Sequence, residues 1–262
     1  VRCVIDTVAA LSERIAKAGG MCAYDVELAW LSGMLHDVGR FEQIKRYNTF
    51  SDADSVDHAK FGADLLFKDG LISTFLKGMV KCTGYKPGAL EDRYDSDGVF
   101  LYDRLNKSDM EMLELAIRCH NMYRIPQGLN SREQAFCNVL RDADKVDIFK
   151  VNIDTPLEEI YNTTTEELMK SNITDEVLEA FDEEHCILKA IRRTPADTVI
   201  GHVSLAYELV YDESVRITVE QGYLAKLMHF HSDNEETNRK MAMVREKMDS
   251  YVKKRIGRKM HR

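Results

Sequence analysis

The sequence predicts an all-α protein, and three observations carry that expectation. Apolar residues recur at helical intervals along most of the chain, and period-two alternation is almost absent. Only 14 Gly and 4 Pro punctuate 262 residues, sparse for a turn-rich β fold. A chain of this length can bury a full core without covalent staples and holds one or two domains. We expect a helical core over residues 1–150 and further C-terminal helices over 151–262, packed on the core as one compact unit.

The elements follow in order. Val4, Ile5, Val8, Leu11 and Ile15 form one face of a first helix that stops at Gly19-Gly20, a C-terminal signal. Asp25 is the expected cap of a second helix through Leu28, Ala29, Trp30, Leu31, Met34 and Leu35. A third segment, about 55–67, breaks at Asp69-Gly70, and Leu71–Val80 again reads as helix. Residues 82–107 are a long polar connection, of the kind that serves as an insertion or lid. Its Asp95-Ser96-Asp97-Gly98 is not a calcium loop, because Arg93 stands where that motif needs its first acidic ligand. Ser108 with Glu111 suggests a capping box for a helix to His120, and another helix is expected from Ser131 through Phe149. Beyond 155, helices are expected near 156–161, 164–170, 174–193, 197–211, 214–230 and 233–256.

Composition removes several function classes. Lys and Arg number 36 against 44 Asp and Glu, a formal charge of −8, which argues against wrapping nucleic acid through its phosphates. With 44% apolar and 31% charged residues, the chain is of the soluble globular type, without a run long enough to span a bilayer. The six cysteines are scattered without a CxxC pair, which fits reduced thiols and a cytoplasmic protein. Neither a membrane nor bulk nucleic acid is the expected partner, and a homodimer is compatible with the sequence.

The chemistry concentrates in the first three-fifths. His36 and Asp37 follow the apolar run Leu31–Leu35, where unpaired ionisable groups would be costly. His58 lies among Ala59, Gly62, Leu65 and Leu66, and His120 ends a mostly apolar helix. Asp144 sits in a helical stretch with apolar residues on both sides. Taken singly, each is more often a satisfied core residue than a ligand. Together, three imidazoles and two carboxylates form a mixed N/O set suited to one or two divalent Fe, Mn, Co or Zn ions, with Mg also admissible.

The string Leu35-His36-Asp37-Val38-Gly39-Arg40 resembles the signature of the HD-domain metal-dependent phosphohydrolases. Asp142-Ala143-Asp144-Lys145-Val146-Asp147 is similar to the distal metal-binding helix of that superfamily. His58-Ala59-Lys60-Phe61-Gly62 and Cys119-His120-Asn121 resemble the two extra histidines of its dinuclear branch. The family pattern begins with a further histidine on the first helix. Arg2-Cys3-Val4 looks like the tail of that motif, so the histidine is expected just upstream of Val1.

The resemblance implies a metal-dependent phosphohydrolase acting on a phosphate ester of a nucleotide or other small phosphorylated metabolite, through a metal-bridging hydroxide. Asp37 would bridge, the histidine expected upstream, His36 and Asp144 would serve one metal, and His58 and His120 the other. Arg40 and Lys145 are placed by their adjacency to these ligands to meet the substrate phosphate, Lys145 also with a catalytic role. Arg141, Arg46 and Arg124 are weaker candidates, expected to be solvated. Two alternatives stay open: a di-iron oxygenase on the same ligand set, and a ligand-binding HD module without turnover. The Gly-Tyr-Pro extension of cyclic-dinucleotide phosphodiesterases is not present, since Gly84-Tyr85-Lys86-Pro87 carries an inserted Lys and precedes His120. His185, His202, His229, His231 and His261 lack partners at ligand spacing, the C-terminal basic run reads as a helix end, and Met228, Met241, Met243 and Met248 as packing residues.

Overall fold

The computed structural model describes residues 2–75 and 105–257. Most of the 82–107 connection and His261 therefore lie outside the described residues. Those residues form helices and turns, with no strand among them, so the all-α expectation holds. No described helix is long and apolar enough to cross a membrane. The chain divides into two units, Val1–Asp144 and Lys145–Arg262.

In the first unit, α1 (Arg2–Ala18) buries Val8, Leu11, Ile15 and Ala16 along one stripe. Its end is closed by the amides of Gly19 and Met21 on the carbonyls of Ile15 and Ala16, with Gly20 at φ +77°. Helix α2 (Ala23–Leu35) packs on α1 and is buried nearly all round. Gly33 permits that crossing, because a Cβ there would lie 2.7 Å from Ala9 Cα. Asp25 does not cap α2. Cys22 holds the cap position, while Asp25 accepts from Arg132 at 2.7 Å.

The chain breaks its helix at His36 and Asp37 and resumes as α3 (Val38–Tyr47). Helix α4 (His58–Ala63) starts three residues later than expected, and a π-helical turn over Asp64–Lys68 follows it. Residues 51–56 stay irregular because Gln43, fully buried on α3, donates to Ser55 Oγ and Val56 O. Helix α5 (Lys107–Cys119) is capped by Asn106, whose side chain accepts from the Asp109 amide, and not by Ser108, which lies inside the first turn. Helix α6 (Ser131–Asp154) runs five residues past the expected end, and the boundary between the units falls within it. Arg132 of α6 binds both Asp25 of α2 and buried Asp109 of α5 at 2.7 Å, tying three helices together.

The second unit has its own core around Phe149, Leu168, Ile173, Phe181, Val199, Leu224 and Met248. Helices α7 (Leu157–Tyr161), α8 (Thr165–Lys170) and α9 (Asp175–Asp182) lead into an irregular stretch, with Glu184 at φ 54°. The single helix expected over 174–193 therefore ends early. Helix α10 (Pro195–Val203) opens on a capping box between Thr194 and Asp197, with Pro195 in the first turn, and closes in a 3-10 turn. Gly222, at φ +70°, splits the expected 214–230 helix into α11 (Asp212–Gln221) and α12 (Tyr223–Met228). Helix α13 (Glu235–Gly257) buries Met241, Val244 and Met248 on one stripe, whereas Met243 is half exposed.

Candidate metal centre

The break after α2 brings His36 and Asp37 to one place. Adjacent residues on a continuous helix diverge by about 100°. Asp37 instead sits at φ −101°, ψ 15°, between two helices, so its carboxylate approaches the neighbouring imidazole. His36 Nε2 lies 3.7 Å from Asp37 Oδ2 and 3.8 Å from Asp144 Oδ1. On its other oxygen, Asp37 meets His58 Nε2 at 3.4 Å and His120 Nε2 at 3.9 Å. The rings of His58 and His120 meet edge to face, with their Nε2 atoms 3.1 Å apart.

Two glycines make this approach possible. A Cβ on Gly39 would lie 2.2 Å from the His58 carbonyl oxygen, and one on Gly62 would lie 2.9 Å from the Gly39 amide. Only glycine at 39 lets α3 lie on α4 closely enough to place Asp37 against His58.

Each imidazole is held by its outer nitrogen. His36 Nδ1 is 2.7 Å from Gly33 O, and His120 Nδ1 is 2.7 Å from Ile117 O, so each donates there. His58 Nδ1 donates to Asp52 at 2.7 Å. These bonds fix the tautomer and leave all three Nε2 lone pairs facing inward. His36 Nε2 is buried without a hydrogen-bond partner. Two lone pairs facing each other at 3.1 Å, beside an orphaned third and a carboxylate, fit a cation that accepts N and O donors. Burial pushes His120 down to about 4, so its ring is neutral at neutral pH. Burial alone would raise the Asp37 carboxyl, but His36, His120, His58 and Arg40 together hold it below the ordinary carboxylate range.

His36, Asp37 and His120 can each offer a ligand atom within 4.8 Å of the others, and so can Asp52, Asp57 and His58. Asp52, Asp57 and Gln43 are absent from the sequence-based candidate set. Asp52 joins His58 to Arg40, whose Nη1 it accepts at 2.9 Å. Burial opposes ionisation of Asp52, yet His58, Gln43 and Arg40 hold its carboxyl far below the usual range. The available signal was a carboxylate six residues before a candidate ligand, in a polar stretch with no periodicity to orient it.

Arg40 also bonds Gln43 Oε1 at 2.9 Å and the Phe50 carbonyl at 2.6 Å, with its Nε 3.7 Å from Asp37. Lys145 is buried, one residue after Asp144 on α6. Arg141 is buried and not solvated as expected: its Nη2 donates to Tyr123 O at 3.0 Å, bracing the loop that follows His120. Arg46 pairs with Glu42 at 2.8 Å, and Arg124 is exposed beside the Tyr123 ring. Cys22, Cys119 and Cys137 are free thiols.

The family model for the HD domain matches residues 6–152, more than half the chain and every residue of the candidate centre. The chain belongs to the HD domain family, a superfamily of metal-dependent hydrolases that bind divalent metals. Comparisons with curated proteins and with solved structures gave no significant match.

Proposed function

We propose that the protein is a metal-dependent phosphohydrolase that cleaves a phosphate ester of a nucleotide or another small phosphorylated metabolite. One observation carries this reading: three inward Nε2 lone pairs converge on the Asp37 carboxylate, with Arg40 alongside. Asp37, His36 and Asp144 would hold one divalent ion, and Asp37, His58 and His120 a second, drawn from Fe, Mn, Co, Zn or Mg. When bound, such ions acidify water and neutralise charge on phosphoryl oxygens.

The protein's own residues supply the rest. The bonds from Nδ1 to Gly33 O, Asp52 and Ile117 O keep those protons outside the centre, so no imidazole must turn before it binds. Arg40 carries no hydrogen bond on Nη2 among the described residues, and that group would take a phosphoryl oxygen. Lys145 adds a cation next to Asp144 and would share the charge of the phosphate. Arg141 braces Tyr123 O through Nη2, and its remaining donors would be available to the substrate phosphate.

The test is a panel of nucleotides and sugar phosphates given to metal-stripped protein, with Mn, Fe, Co, Zn and Mg returned one at a time, in air and under nitrogen. Release of phosphate with at least one metal in both atmospheres is the expected result. Turnover strictly dependent on O₂ would indicate oxygenation. A protein that takes up none of these metals refutes the reading of the site.

A further inference from the structure

Asp52 makes more polar contacts than any ligand needs. It lies between α3 and α4, and its side chain is one-third exposed. His58 Nδ1 donates to it at 2.7 Å, Arg40 Nη1 at 2.9 Å, Gln43 Nε2 at 3.0 Å and Asn121 Nδ2 at 3.4 Å. These donors come from α3, α4 and the loop after α5. A cation at the cluster of Asp52, Asp57 and His58 would face competition. Asp57 already accepts the Lys60 amide at 3.2 Å, the Lys60 ammonium at 2.9 Å and Asn121 at 3.0 Å. Arg40 already neutralises Asp52. The cluster is a brace.

We infer that Asp52 is a positioning residue for two groups at once, fixing the His58 ring and the Arg40 guanidinium so that a single carboxylate sets the cation site relative to the phosphate-binding group. The inference rests on the metal-dependent reading above. A carboxylate that accepts Nδ1–H holds the ring and makes Nε2 a better donor to metal. The same Oδ1 takes Arg40 Nη1, while Arg40 Nε stays 3.7 Å from Asp37. With that edge of the guanidinium occupied, Nη2 is the group left for a phosphoryl oxygen. Gln43, fully buried, keeps the brace in place by bonding Asp52, Ser55 and Val56. Removal of Asp52 would free the His58 ring to turn and leave Arg40 with only the neutral acceptors Gln43 Oε1 and Phe50 O besides distant Asp37.

The test uses the full chain, with Mn(II) and inorganic phosphate as probes. Mn(II) binding is followed by paramagnetic resonance of the free ion with metal content by mass spectrometry, and phosphate binding by calorimetry on Mn-loaded protein. Asp52→Asn is expected to weaken one Mn(II) equivalent about 10- to 100-fold. It should also weaken phosphate binding, and adding Arg40→Ala to it should cost less than Arg40→Ala costs in the wild type. Asp52→Glu, which keeps the charge, should recover part of the metal affinity. If Asp52→Asn fails to fold by circular dichroism, Asp52→Ser carries the same expectation. Unchanged Mn(II) and phosphate affinities overturn the inference, as does an equal loss in Asp57→Asn, which would mark a merely local disturbance. Wild-type protein that binds no Mn(II) overturns the site reading and this inference together. Wild-type protein that binds Mn(II) but hydrolyses no ester overturns only the activity, and the metal titration still decides the role of Asp52.

Discussion

Gly39→Ala adds one methyl group and should cost the protein its centre. The new Cβ would sit 2.2 Å from the His58 carbonyl oxygen and 2.8 Å from the Gly62 amide nitrogen. Both obstacles are backbone, so no side chain can swing aside. Ordinary contact begins near 3.4 Å, so α3 and α4 must separate by about 1 Å. Overpacking of this kind costs about 1–3 kcal/mol, and a backbone obstacle belongs at the upper end. Alanine's helix propensity returns up to about 1 kcal/mol, less here because Gly39 is the second residue of α3. The net expectation is a loss of about 2 kcal/mol. The same separation pulls His58 Nε2 away from its 3.4 Å approach to Asp37, so Mn(II) content should fall as well. Gly62→Ala meets its nearest atom at 2.9 Å and should lose less. Gly20→Ala has open space around it and should show only the strain of φ +77°, about 1 kcal/mol, with metal content unchanged. Urea unfolding and metal analysis of the three variants give the ranking. Gly39→Ala with wild-type stability and metal content would refute the close-packing argument.

Three further outcomes are expected. Asp37→Ala, which removes the carboxylate shared by all three imidazoles, should abolish metal retention after dialysis together with phosphate release; either one surviving counts against its bridging role. Arg132→Ala strips the ion-pair partner from buried Asp109 and should lower stability in urea by about 2 kcal/mol, below the range for a fully buried pair because Arg132 is one-third exposed. His202 is pushed down to about 3, first by burial and then by Arg192 and Lys189, and its Nδ1 has no partner. The unfolded chain therefore takes up a proton that the folded chain refuses: stability from this group is present above pH 6.5 and drains away towards pH 3. Integrated from pH 6.5 to 4.5 the loss is about 2 kcal/mol, and His202→Gln should flatten that part of the urea-midpoint profile.

The fold was legible where apolar spacing and strong stop signals coincided. Gly19-Gly20 ended α1 as read, because a left-handed Gly20 closes the last turn. It was less legible where capping depends on geometry. Ser108 with Glu111 satisfied a capping pattern, but Asn106, two residues earlier, has the oxygen that reaches the Asp109 amide. Asp25 looked like a cap and became the partner of Arg132, 107 residues away, a pairing that no local pattern contains. In the second unit, the breaks at Glu184 and Gly222 interrupt runs whose apolar spacing continues across them, so periodicity alone merged separate helices.

The site divides along the same line. His36, Asp37, His58, His120 and Asp144 stood out because each is an ionisable residue in an apolar helical context, an anomaly visible in one dimension. The structure brings them together within 4 Å contacts that run through Asp37 and His36. Asp52 and Gln43 carry no such anomaly. Asp52 lies in a segment of acidic and small residues, where a carboxylate is expected in solvent, and its importance arises only when α3 and α4 close on the loop between them. Arg40 shows both sides. Its adjacency to Asp37 marked it in the sequence, yet three of its acceptors lie on Gln43, Phe50 and Asp52. A cation held by that many acceptors is already oriented, so little side-chain freedom would be left to lose if it bound a phosphate as proposed. The −8 charge of the chain would not by itself exclude a small anionic substrate, but Arg40 is paired with Asp52 and lies near Asp37, so the attraction would have to come from cations held at the centre together with Arg40.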